Sequence, residues 1–135
     1  MSPLLEKRLL QAALVIGGAF SLLIAGNSIV HGTAAIARGA PVDIGLDSHF
    51  RYLSGIFLGA LAVLYSCVPD VERKGPRLRL IGALIICGGL ARLIGVATMG
   101  LPGVGHRYGL VMELVVTPLI LLWQARLARR MATPT

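Results

Sequence analysis

Two ionisable side chains, Arg92 and Glu113, lie well inside apolar runs of the sequence. A charge at that depth is costly if it meets lipid, so such groups face other helices or a water-filled cavity and pair with one another. Together they could do defined chemistry: an arginine holds an anionic or carbonyl group, and a carboxylate accepts a hydrogen bond or moves a proton. A second set gathers near the start of another apolar run. Asp47 and Arg51 are four residues apart, which places them on one helix face. Asn27 and His31 close the preceding run, and His49 and His106 belong to the same side. The candidate ligand-binding residues are therefore Arg51, Arg92, Glu113, Asp47, Asn27 and His49, with Glu113 the candidate acid or base. A purely structural account competes with this one, because paired charges are the usual way to lower the cost of burial.

Other chemistries are less well supplied. No Ser or Cys stands beside a His in a nucleophile motif, and there is no glycine-rich phosphate loop. The three His residues with Asp43 and Asp47 lack HxxxH or HxxE spacing, so neither a metal nor another cofactor is expected. Cys67 and Cys87 form no CxxC pair and read as small, reduced apolar side chains.

These groups must be positioned by membrane helices. Of 135 residues, 56% are hydrophobic and only 14% charged. Four spans of about 20 residues would use about 80 positions, about as many as there are apolar residues. That composition excludes a soluble enzyme, a disulfide-stapled module and a disordered tail. The spacing predicts an all-α, four-transmembrane-helix bundle forming a single domain over 1–135, with helices at about 9–30, 49–68, 78–100 and 108–127. The first run reads as an uncleaved anchor, since it exceeds a signal-peptide core and Ala25-Gly26-Asn27 is a poor cleavage site. Between the first two spans, Gly39, Pro41 and Gly45 punctuate a loop with a short surface helix through Ala34 to Arg38. Asp47 or Ser48 is placed to cap the second span. Pro118 should bend the fourth by removing a backbone donor.

The net charge of +7 would suggest nucleic acid in a soluble protein. Here the basic residues flank apolar runs instead. Lys7, Arg8, Arg73, Lys74, Arg77, Arg79, Arg126, Arg129 and Arg130 fall on one side, against Arg38, Arg51 and Arg107 on the other. By the positive-inside rule both termini are cytoplasmic, and nucleic acid is not an expected partner. Gly17, Ser21, Ala25 and Ser28 form a small-residue stripe on the first helix. Gly55, Gly59, Ala62 and Ser66 do so on the second, and Gly88 and Gly95 flank Arg92. Such stripes let helices approach closely, within the bundle or between copies of the chain.

On that topology Arg92 lies about 12 Å below the outer surface and Glu113 about 7 or 8 Å, at 1.5 Å per residue, so a long arginine can span the difference. Glu113 shares a face with Gly109, Thr117 and Gln124, a polar stripe that should look inward.

Three segments in order, Asp47-Ser48-His49-Phe50-Arg51-Tyr52-Leu53-Ser54-Gly55, Gly88-Gly89-Leu90-Ala91-Arg92-Leu93-Ile94 and Glu113-Leu114-Val115-Val116-Thr117-Pro118, carry a family resemblance over nearly the whole chain. The sequence resembles the bacterial domain of unknown function 4345 family. The resemblance implies a small four-helix inner-membrane protein whose signature polar residues match Arg51, Arg92 and Glu113, and it implies no activity. The expected function is binding of a small amphipathic or lipid-like molecule in a polar pocket of the outer half of the bundle. Two alternatives stand beside it. One is an accessory subunit that contacts a membrane protein partner or a second copy, and the other is an enzyme acting on a lipid or isoprenoid-like substrate through Glu113.

Overall fold

A computed structural model describes residues 1–37 and 39–132. Arg38, the end of the expected surface helix and one of the residues counted for topology, lies outside the described residues. Four long helices account for nearly all the rest: α1 (Pro3–His31), α2 (Ile44–Cys67), α3 (Gly75–Met99) and α4 (Val104–Ala132). Each is long and apolar enough to cross a membrane. Among the described residues there is no strand.

The helices begin and end where local chemistry dictates. Pro76 stands at the start of α3, where its missing N–H is no loss. Gly100, at φ +91°, ends that helix in a conformation that favours glycine. The start of α2 departs from expectation: its N-cap is Asp43, whose side chain accepts from the Leu46 N–H at 2.7 Å, and the helix begins at Ile44. This adds a turn before His49 and frees Asp47 for another partner. In place of the expected surface helix, a single 3₁₀ turn covers Gly32–Ala35.

The chain divides into two compact units. One comprises 12–68, which is most of α1 with α2. Within it Leu14, Ala25, Leu61, Leu64 and Cys67 are buried, and the Tyr65 hydroxyl donates to the Val15 carbonyl at 3.2 Å. Gly18 makes room for that ring, since a Cβ there would lie 2.9 Å from the Tyr65 hydroxyl. The other unit comprises 1–11 and 69–135, which is the start of α1 with α3 and α4. Its buried side chains include Leu10, Val71, Leu78, Ile81 and Leu127. Helices α3 and α4 approach at glycines: a Cβ on Gly82 would meet Leu121 at 2.7 Å, and one on Gly89 would meet Leu114 at 2.7 Å and the Glu113 Cβ at 2.9 Å. In both units large apolar residues such as Ile16, Leu23, Ile94 and Leu122 are left uncovered by protein, as fits helices whose other neighbour is lipid.

The small-residue stripes are therefore partly displaced. Ala25 and Ser28 are buried as expected. A Cβ on Gly17, Gly55, Gly59, Gly88 or Gly95, in contrast, would meet nothing within 4 Å among the described residues, and the close approaches fall at Gly18, Gly82 and Gly89.

Candidate functional site

In the unit of α3 and α4, α4 carries Glu113 on an unusual turn. Residues Met112–Val116 form a π-helix, and the Met112 carbonyl accepts from both the Thr117 backbone N–H and the Thr117 hydroxyl, the latter at 2.9 Å. Pro118 follows directly. It has no N–H to give, and its ring crowds the carbonyl one turn back, so a widened turn relieves both problems. Widening also projects Glu113 toward α3, which approaches the π turn because Gly89 has no side chain.

There Arg92 meets it in a two-pronged pair. The Arg92 Nε donates to the Glu113 Oε2 at 3.1 Å and its Nη2 to the Oε1 at 3.0 Å. This fork-to-carboxylate geometry is the strongest ordinary form of ion pair. The remaining Arg92 nitrogen, Nη1, lies 3.1 Å from the His106 Nδ1. A guanidinium only donates, so His106 must accept on Nδ1 and carry its proton on Nε2. Protein leaves 37% of the Arg92 side chain and 20% of Glu113 uncovered, so the pair is reachable. Arg92 and His106 form one wall of a cleft of about 390 Å³, whose other lining includes Gly95, Val96, Met99 and Leu101. The cleft is apolar along α3 and polar at one end.

In the other unit Asp47 and Arg51 fasten the end of α1 to the start of α2. The Asp47 Oδ1 accepts from the Thr33 backbone N–H at 2.6 Å and the Thr33 hydroxyl at 3.0 Å, while its Oδ2 pairs with the Arg51 Nε at 2.7 Å. The Arg51 Nη1 donates to the carbonyls of Ile29 and Val30, which the last turn of α1 leaves without helical partners. Gly32, at φ +58°, lets the chain pass: a Cβ there would fall 2.0 Å from the Asp47 Oδ1. The bonds seen here serve the connection between two helices.

Of the candidate residues, then, Arg92 joins Glu113, and Arg51 joins Asp47. Asn27 is exposed and its side chain bonds to nothing among the described residues. His49 is exposed and lies against Tyr52, ring centroids 6.4 Å apart. Neither is brought to its unit's charged pair. Both cysteines are free, Cys67 buried and Cys87 exposed. Among the described residues no three His, Cys, Asp or Glu side chains gather as metal ligands do.

Sequence reasoning missed two charged clusters, those of Glu6 and Lys7. Glu6 is 1% exposed and pairs with Arg130 and, at 3.8 Å, with Arg126. Lys7 pairs with Glu72 at 3.0 Å. Gln124, expected on the face of Glu113, is 1% exposed and donates to the Val71 carbonyl at 2.9 Å. The available signal was the spacing of Arg126 and Arg130, four apart on one helix face, with the lone acid Glu6 embedded in the first basic flank.

Comparison with known proteins places the chain in a family. The profile of a family described as Domain of unknown function (DUF4345) matches residues 9–124. No curated protein and no solved structure matches the chain.

Proposed function

The chain belongs to the DUF4345 family, and from its geometry we propose that it is a multi-pass membrane protein that holds a small amphipathic molecule in the cleft beside Arg92. The observation that supports this is the shared use of one guanidinium. Arg92 spends two nitrogens on Glu113 and turns its third toward His106 at the mouth of an apolar cleft. With Glu113 on two of its nitrogens, this third nitrogen and the His106 ring are the hydrogen-bonding groups that the cleft lining offers.

The arrangement also selects a ligand class. Glu113 cancels the Arg92 charge, so a head group that brings its own negative charge gains less than one that only accepts hydrogen bonds. A carbonyl, ester or hydroxyl can take a donor from Arg92 Nη1 or from His106 Nε2. Val96, Met99 and Leu101 then line the path of an apolar tail. The excess of basic residues on one side supports placing both termini in the cytoplasm and the protein in a bacterial inner membrane, with this cleft in the outer half.

A second reading, an accessory subunit of a membrane complex, is favoured by the open space at Gly17, Gly55, Gly59, Gly88 and Gly95, where another helix could approach. The enzyme reading has less support, because both Glu113 oxygens are already engaged by Arg92. Native mass spectrometry of protein extracted gently from its own membrane separates these readings. Wild type should carry a specific lipid-like mass that Arg92→Ala and Glu113→Gln lose. A stoichiometric protein partner with no such small molecule would favour the accessory subunit.

A further inference from the structure

A second cleft, also of about 390 Å³, opens at the far end of α3 from Arg92, lined by Glu72, Arg73, Gly75, Arg79, Gln124 and Arg129 among others. Its charge is unbalanced. The carboxylate in this lining, Glu72, is taken by Lys7 at 3.0 Å, and Gln124 is held by the Val71 carbonyl. Arg129 also lines the cleft, and among the described residues the side chains of Arg73 and Arg79 make no ion pair or hydrogen bond. The Arg79 Nη1 lies 3.1 Å from where a Gly75 Cβ would stand, so it folds back over the first turn of α3, a position that the glycine keeps open. The N-cap of that helix, Lys74, makes no side-chain capping bond, which leaves the positive end of the helix dipole at the same place.

Guanidinium forks match phosphate oxygens, and unpaired arginines held at one cleft repel each other unless an anion joins them. The cleft stands at the end of a helix able to cross a membrane, the level at which lipid headgroups lie, and basic pockets between helix ends are suited to them. We infer that this cleft binds the phosphodiester headgroup of an anionic membrane lipid, through Arg73 and Arg79 with Arg129 from α4. The site is independent of the Arg92 cleft and stands or falls without it.

The test uses the whole chain in a zwitterionic detergent, with phosphatidylglycerol, phosphatidylcholine and inorganic phosphate as probes. Phosphatidylglycerol should raise the melting temperature and be retained in native mass spectra, while phosphatidylcholine should do neither. In Arg73→Gln/Arg79→Gln the retention should weaken about 30-fold, at about fivefold per basic residue near a membrane surface. Arg77→Gln, which removes an exposed arginine outside the cleft lining, should weaken retention less than Arg73→Gln or Arg79→Gln taken singly and controls for the loss of one positive charge. Equal protection by both lipids, equal loss in Arg77→Gln, or protection by inorganic phosphate that matches phosphatidylglycerol would overturn the proposal. The wild-type comparison of the three probes decides the matter even if the double variant does not fold.

Discussion

Glu6 and Arg130 form an ion pair between residues 124 positions apart in the chain, joining the first turns of α1 to the last turns of α4. The pair is asymmetric: the Glu6 side chain is 1% exposed and that of Arg130 35%. A carboxylate buried to that degree depends on its partners, whereas the arginine can reach its surroundings and also donates to the Met1 carbonyl at 3.0 Å.

Glu6→Gln should therefore destabilise the protein by about 2 kcal/mol, below the 3–5 kcal/mol seen when a charge is left fully buried, because Arg130 keeps partial access to water. Arg126→Ala should change stability by less than about 0.5 kcal/mol, since its side chain is largely exposed and its nitrogen stands 3.8 Å away. Thermal unfolding in detergent, followed through the single tryptophan Trp123, measures both.

Two adjacent glycines should respond oppositely to the same methyl group. Gly89→Ala drives a Cβ into Leu114 and Glu113 at the closest approach of α3 and α4, an overpacking that costs about 1–3 kcal/mol. Gly88→Ala meets nothing within 4 Å and should be neutral or slightly stabilising, as alanine favours helix. Equal effects in a thermal melt would mean that α3 is rotated from the orientation described.

The connection from α1 to α2 should behave as one unit. Asp47→Ala and Arg51→Ala should each lower the melting temperature, and the double variant should be little worse than either alone, because both bonds serve the same joint. Gly32→Ala should also destabilise, since φ +58° alone costs a side chain about 1 kcal/mol before any contact with Asp47 is counted. Additive losses in the Asp47 and Arg51 cycle would contradict the shared joint.

Much of this was legible in the sequence, for physical reasons that also mark where reading stops. Hydrophobic length and charge at the flanks suffice to find four helices, and the cost of a charge in lipid suffices to single out Arg92 and Glu113. Helical rise brought their depths within reach of one another, and the four-residue spacing brought Asp47 to Arg51. Rotation about the helix axis was not legible. These helices are apolar almost all round, so nothing in the pattern separates Gly88 from Gly89 or Gly17 from Gly18, neighbours about 100° apart. The π turn at Met112–Val116 inserts a local change that periodicity does not record, although Pro118 marks its place. Glu6 was hidden because a basic flank read as a sum conceals the one acid within it.

The central claim is that the cleft beside Arg92 holds a molecule, and Gly95 offers its most direct test. Gly95 lines the cleft, and a Cβ there would meet nothing within 4 Å, so Gly95→Phe should fill the cleft while leaving Arg92, Glu113 and the packing of α3 intact. Native mass spectra of protein released from its own membrane should show one small amphipathic molecule on wild type and none on Gly95→Phe, at unchanged melting temperature. A wild type that carries no such molecule, or a Gly95→Phe variant that retains it in full, would contradict the account and leave Arg92 and Glu113 as a structural pair.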